Sequence, residues 1–385
     1  MTRSRIALYA HDTVGLGHTR RQLAIAAAIS ARREDVDLLL LAGNPEAARL
    51  PLPPRLDLVT LPTVTKDPTG RYVPRRQGGQ LADVLALRRA ILTAALTAFD
   101  PQLLLVDKVP AGLEGELLPA LDAVGGRTRL VLGLREVLDS PAAVAREWRR
   151  DGTARLLENR YDEVWVYGDP AVYDPVREYG FSPRIAARTH QLGYLGTWPS
   201  DADRPHARPY VLCQLGGGAD AAALALAFAA APLPDGHDGI LLAGPFLPEP
   251  ARAQLHALAS DRLIVHDFVD NAEEFLQGAA AVVSMGGFNS TVEILSSDVP
   301  ALVVPRVVPR QEQLLRARAL SRIGALDVLE PDALSPAQLS GWLAEAVRAE
   351  APAVHRIARA RIDLDGLPRV ARRATDLIEE ARHAA

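Results

Sequence analysis

The residue types best suited to chemistry are set at turns between apolar runs. His18 closes Gly15-Leu16-Gly17-His18, which joins an apolar run (Arg5 to Ala10) to an alanine-rich helical stretch. An imidazole titrates near neutrality, so a histidine there is a candidate base for a hydroxyl proton; the competing reading is a structural turn residue. Asp107 ends the run LLLVD (Leu103 to Asp107), where a carboxylate could orient and charge-stabilise the imidazolium, or cap the next turn. His11 and Asp12 are further candidates nearby.

The segment Ser284 to Gln313 (SMGGFNSTVEILSSDVPALVVPRVVPRQEQ) follows the buried-strand pattern of Ala279 to Val283. It turns through Gly286 and Gly287 into a helix that starts near Asn289, Ser290 and Thr291. The first N–H groups of a helix lack internal partners and carry partial positive charge, so this turn predicts a phosphate site. Gly216, Gly217 and Gly218 follow the strand-like Tyr210 to Leu215 and offer a second set of amides. Glu293 can accept ribose hydroxyls, but Ser290-x-x-Glu293 is equally a capping box. Glu312 and Gln313 form a polar pair suited to sugar hydroxyls. Amides that face a diphosphate need no metal, and none is expected: Asp35-Val-Asp37, Asp201-Ala-Asp203 and Asp363-Leu-Asp365 read as chance, and His and Cys are too scattered for a zinc site.

The elements that must position these groups repeat one device. Strand-like runs at Arg5 to Ala10, Val36 to Ala42, DLVTLP, Leu103 to Asp107, Arg129 to Leu134 and Glu163 to Tyr167 alternate with helical stretches, including Leu81 to Phe99. This pattern predicts a parallel sheet covered on both faces. Periodicity fails between Leu192 and Pro209, and the chain then restarts with strand, glycine loop and helix. Two Rossmann-like α/β domains are expected: residues 1–195, a linker at 196–209, then 210–365, with a helix at 366–385. Thr19-x-x-Gln22 is a possible cap for the first helix. The third glycine of a dinucleotide fingerprint is replaced by Arg20, so no NAD site is expected. The polar stretch Thr63 to Gly79 reads as a mobile acceptor loop or a solvated connection.

Glycine turn, Asn-Ser-Thr-x-Glu, Val-Pro, a further Pro and a closing acid-Gln pair resemble the nucleotide-sugar signature of GT-B glycosyltransferases, including the family 28 peptidoglycan N-acetylglucosaminyltransferases and plant glucosyltransferases. GLGH resembles the Gly-His that carries the base in many of them. The resemblance implies a GT-B fold, with parallel sheets facing across a cleft and the terminal helix crossing back to the first domain. It further implies that the Val269 backbone reads the donor base beside Asp267 and Phe268, with Phe268 packing on the ring or filling core. The expected function is inverting, metal-independent transfer from a nucleotide diphosphate sugar, most simply a UDP-sugar, to an acceptor hydroxyl, with His18 as base and Asp107 behind it. Plant enzymes carry a phosphate-binding His where this chain has Met285, which shifts the expected phosphate grip to backbone amides. The alternatives are a non-hydrolysing UDP-sugar 2-epimerase, whose acidic and His cluster is not found in the second half beyond His266, and a nucleotide-sugar-binding protein without turnover.

At 385 residues, 48% hydrophobic and 23% charged, the chain has the make-up of a globular protein with two cores. A net charge of -4 argues against a nucleic-acid partner. Lys66 and Lys108 are the only lysines, and the Arg and Ala bias points to a GC-rich genome rather than a function. Cys213 stands alone, so no internal disulfide can form. With no signal-peptide pattern and no membrane-spanning run, a cytoplasmic monomer or homodimer is expected. Peripheral membrane contact stays open, as does a small-molecule or lipid-linked acceptor. Arg135 and Glu136 read as acceptor-facing or as an ion pair.

Overall fold

The computed structural model describes residues 3–13, 15–67, 71–196, 206–269, 271–348 and 352–384. Most of the expected linker (197–205, with Asp201 and Asp203) and residues 68–70 of the Thr63 to Gly79 stretch lie outside them.

The first half contributes β1 (Ser4–Ala10), β2 (Val36–Ala42), β3 (Leu56–Thr60), β4 (Val64–Lys66), β5 (Tyr72–Pro74), β6 (Leu103–Asp107), β7 (Arg129–Arg135), β8 (Glu163–Tyr167) and β9 (Thr189–Gln191). All but β4 and β5 form a seven-stranded sheet in the order β3-β2-β1-β6-β7-β8-β9. Its ladders are parallel. The second half contributes β10 (Tyr210–Gln214), β11 (Asp238–Leu242), β12 (Leu263–His266), β13 (Ala281–Ser284), β14 (Ala301–Val303) and β15 (Asp327–Val328). These form a six-stranded sheet in the order β12-β11-β10-β13-β14-β15, also parallel. Central strands such as LLLVD and YVLCQ are buried along their whole length, as unbroken apolar runs require when helices cover both faces.

In each sheet the order reverses once, between β1 and β6 and between β10 and β13. Chains leaving adjacent strands at such a point diverge to opposite faces and leave a crevice at the strand C-termini. Every candidate turn described above lies at one of these two crevices: Gly15–His18 after β1, Asp107 at the end of β6, Gly216–Gly218 after β10 and Gly286–Ser290 after β13.

The halves are tied by more than the linker. The Gly366–Ala384 helix lies against the first half: Arg373 pairs with Glu163 of β8, and Arg33 with Glu379. A bridge between Leu195 and Asp365 fixes the approach to that helix. Part of Thr63 to Gly79 is the antiparallel β4–β5 hairpin rather than an unstructured connection.

Candidate active site

After β1 the chain must turn sharply into the Gly17–Arg32 helix. Asp12 makes the turn possible: one carboxylate oxygen accepts from the His18 N–H at 3.2 Å and the other from the Thr19 N–H at 2.5 Å. The helix is thus capped from outside. The Thr19-x-x-Gln22 cap does not form, because both residues lie inside the helix and are fully buried.

With its backbone pinned, His18 points Nδ1 at Asp107 Oδ2 in close contact. The Asp107 side chain is 1% exposed and that of His18 19%, so the carboxylate lies behind the ring and the ring faces the cleft. Arg21, one turn further along the helix, donates Nε to Asp107 Oδ1 at 3.0 Å and Nη2 to Oδ2 at 2.6 Å. Burial alone would favour the neutral acid, but Arg21 and His18 outweigh it and hold Asp107 far below the usual carboxylate range. His18 Nδ1 also lies 2.9 Å from Arg21 Nη2; the tautomer that donates from Nδ1 to the ionised Asp107 carries its lone pair on Nε2. None of the side-chain hydrogen bonds of Asp107 goes to the following turn, so it acts on His18 rather than as a cap. Arg21 was not anticipated, although its spacing of three from His18 puts both on one helical face.

Opposite stands the β13 turn. Gly286 has φ 71°, and a Cβ there would come within 2.6 Å of Val303 Cγ1, so this turn requires glycine. The Phe288–Leu295 helix starts after Gly287 with no side-chain cap, leaving its first amides to a ligand or water. Between the two turns lies a cleft of about 270 Å³, lined by Gly17, His18, Gly216, Gly217, Gly287, Asn289, Ser290 and Glu293. The Ser290-x-x-Glu293 capping box is absent; Glu293 instead accepts from Gln214 Nε2 at 2.9 Å, and burial raises its pKa. Phe268 is 54% exposed and lines the same cleft with Val269, so it does not fill core.

Other expected ligands lie elsewhere. Thr291 is 2% exposed and does not line the cleft. The Gly218 N–H is taken by Leu215 O at 3.3 Å, and the Ala222–Ala229 helix starts beyond the glycines, so they form a loop rather than a helix mouth. Asn289 donates to Gly17 O at 3.2 Å across the cleft. Glu312 pairs with Arg135 at 3.2 Å and Arg306 at 3.1 Å; burial opposes its charge, but Arg135 and Lys108 prevail and hold it at about 2. Gln313 Oε1 accepts from the Arg306 N–H at 2.8 Å. In this arrangement the acid-Gln pair braces the loop before it and neither residue lines the cleft. Met285 is buried in the core. Positive charge comes instead from Arg20, Arg21 and Arg135, all lining the cleft. Arg135 Nε is buried without a hydrogen-bond partner, and burial lowers the pKa of the group. Glu136 meets Arg316 of the second half at 2.7 Å, so Glu136 is an ion-pair residue.

Beyond His18 lies a second cavity of about 990 Å³, walled by the β4–β5 hairpin, the end of β6 and the Pro141–Asp151 helix. Near the Gly112–Gly115 part of its wall is a buried network in which Glu116 accepts from Tyr9 Oη at 2.5 Å and pairs with Arg88. Among the described residues no group of three or more His, Cys, Asp or Glu side chains is placed to hold a metal ion. None of the described helices is long and apolar enough to cross a membrane.

Comparison with curated protein sequences gives no match. Among solved structures, the calicheamicin glycosyltransferase CalG4 superposes with a TM-score of 0.64 at 18% identity, covering 100% of this chain and 99% of that one. The glycosyltransferase VinC, solved with dTDP, gives 0.63 at 18% identity over 98% and 100% of the two chains. A Listeria monocytogenes protein assigned as a UDP-N-acetylglucosamine 2-epimerase gives 0.64 at 11% identity over 100% and 98%. These likenesses establish the shared two-sheet fold. Residues 239–360 match the glycosyltransferase family 28 C-terminal domain, which spans the glycine turn, Glu293 and the Glu312-Gln313 pair. The chain therefore has the two-sheet GT-B fold and carries, over residues 239–360, a match to the glycosyltransferase family 28 C-terminal domain.

Proposed function

We propose that the protein transfers a glycosyl group, with inversion and without a metal, from a nucleoside diphosphate sugar to an acceptor hydroxyl. Residues 1–195 would hold the acceptor and 210–365 the donor. The observation that carries the reading is the His18–Asp107–Arg21 network facing, across one cleft, the uncapped helix start at Gly287 to Ser290.

His18 Nε2 takes the acceptor proton as the hydroxyl oxygen attacks the anomeric carbon from the face opposite the leaving diphosphate. Asp107 stabilises the imidazolium that forms, and Arg21 keeps Asp107 ionised. The bond from the anomeric carbon to the diphosphate oxygen breaks, and its electron pair leaves with the diphosphate. Amides of Gly216, Gly217 and Gly287 to Ser290 meet that charge, together with Arg20 and Arg135, which occupy the role that Met285 cannot fill. Glu293 and Gln214 are placed for the ribose, and Phe268 and the Val269 backbone for the base; both UDP and dTDP fit that reading.

The experiment is a thermal-shift screen of UDP-, dTDP- and GDP-sugars, followed by nucleoside diphosphate release with and without added acceptors, in wild type and His18→Ala. The variant should bind donor as wild type does and lose release. Unchanged release would reject His18 as base. The fold is shared with an epimerase, and that reading makes a separate prediction: conversion of the nucleotide sugar itself with no acceptor present. Binding of donor with no release under any condition would favour a binding protein.

A further inference from the structure

Lys108 follows Asp107 directly and takes φ 65°, a left-handed conformation that is unfavourable for a residue with a Cβ. The strained turn places its side chain in the wall of the 990 Å³ cavity. Among the described residues the ammonium has no hydrogen-bond or ion-pair partner. The charged groups around it are Arg135 and Arg310, which disfavour its charge, and Glu312 and Glu147, which favour it; burial and the two arginines push its pKa down to about 7. Both acids are already committed, Glu312 to Arg135 and Arg306, and Glu147 to Arg310 at 3.0 Å. His11 lines the same cavity, its ring 4.5 Å from that of His18, and its Nδ1 is buried with no hydrogen-bond partner.

Lys108 is only half-buried, so its ammonium stands at the cavity wall within reach of a ligand, and a cation there with no counterion in contact, on a left-handed backbone, is an unfavourable arrangement. Nothing in the packing of the β6 end requires a lysine, since Asn or Gly would accept this backbone more readily. Part of the remaining wall, from Val109, Leu138, Val144 and Trp148, is apolar and suits a hydrocarbon or aromatic body, while Lys66, Arg71, Glu114, Arg150 and Asp151 make the rest charged.

We propose that Lys108 is the recognition residue for an oxyanion, a carboxylate or phosphate, carried by the acceptor. This rests on the reading that the cavity beside His18 takes the acceptor, and it narrows that acceptor to an amphiphilic acid bearing a hydroxyl. The incoming anion supplies the missing counterion and keeps Lys108 protonated.

The test uses the full chain and three probes of one shape: hydroxyphenylpropionate, its methyl ester and hydroxyphenyl phosphate. Binding is read by calorimetry, and UDP and dTDP binding is measured on the same samples. Wild type should bind the acid and the phosphate about tenfold or more tighter than the ester, the size expected of a hydrogen bond to a charged group. Lys108→Asn, which tolerates the left-handed backbone, should abolish the preference, keep nucleotide binding and melt no lower than wild type. Lys108→Met guards against an asparagine that makes its own contacts. An ester bound as tightly as the acid, absence of binding by all three probes, or a preference surviving both substitutions would overturn the proposal. Sedimentation with phosphatidylglycerol and phosphatidylcholine vesicles separates the sources. Lys108-dependent binding to the former alone assigns the oxyanion to a lipid headgroup, and its absence beside a positive probe result assigns it to a soluble acid. Loss of nucleotide binding with the acid preference intact would sink the transferase reading and leave this site standing.

Discussion

Asp107→Asn and Arg21→Met, made singly and together, give the sharpest test of the base network. In the native protein Asp107 is 1% exposed and Arg21 3%, so each single change leaves a buried charge without its partner. Removing one member of a buried pair costs on the order of 3–5 kcal/mol, whereas removing both leaves no orphan charge. The asparagine still accepts from Arg21 Nε through its oxygen, so Asp107→Asn should fall at the low end, about 3 kcal/mol. Arg21→Met keeps contact with Phe288 but strands an ionised carboxyl, and should fall near 4 kcal/mol. The double variant should cost less than the sum of the singles by about 1–3 kcal/mol, the coupling typical of residues in one network. Urea unfolding followed by circular dichroism reads all of this. Turnover separates the roles. Asp107→Asn presents an N–H to His18 Nδ1 and so disfavours the tautomer with a basic Nε2, and nucleoside diphosphate release should fall by about 10²–10⁴ with donor affinity unchanged. The double variant should regain stability but not turnover. Additive stabilities, or a release rate in Asp107→Asn within threefold of wild type, would refute the network as described.

Gly286→Ala forces a Cβ into Val303 at φ 71° and should weaken nucleotide binding about tenfold while costing about 1–3 kcal/mol of stability, read by calorimetry and urea unfolding. Phe268→Ala, at a largely exposed position, should leave the melting temperature alone and weaken UDP or dTDP by roughly 3–10-fold through loss of stacking. Glu312 is held down at about 2 by burial outweighed by Arg135 and Lys108, so its stabilising contribution is complete above the ordinary glutamate range near 4.3 and is lost as pH falls towards about 2. Acid unfolding of Glu312→Gln should therefore lack that part of the slope between about pH 4.5 and 2, and an unchanged slope would reject the assignment.

The fold was largely legible because both sheets are parallel and doubly covered, so their strands appear as unbroken apolar runs between helices. Leu81–Phe99 and Val36–Ala42 have the bounds that their sequence predicts. The short edge strands β9 and β15 carry too few residues to show a pattern. At the site, the glycine turns, His18 and Asp107 could be picked out by residue type at the ends of apolar runs, and the resemblance to GT-B enzymes favoured them as a pair. The rest depends on what the fold brings together: Gln214 reaches Glu293 from another strand, and Arg135 reaches the cleft from β7 while paired to Glu312 of the other half. A capping box is a local signal, and it lost to that tertiary contact. The cap on the first helix differs from the local Thr19-x-x-Gln22 pattern for the same reason, since Asp12 acts from before the turn rather than from within the first helical residues.

The ring of Phe288 opens the helix proposed to receive the donor, and both Arg21 and Arg316 lie over it, each 5.3 Å from its centroid. One guanidinium belongs to the cluster behind His18, and the other to the salt link with Glu136 that joins the halves. A single phenyl group thus serves as a shared washer between the His18 cluster and the salt link of the two halves. Any donor that shifts this helix start would act on both contacts at once, so a change at either arginine is expected to alter donor affinity.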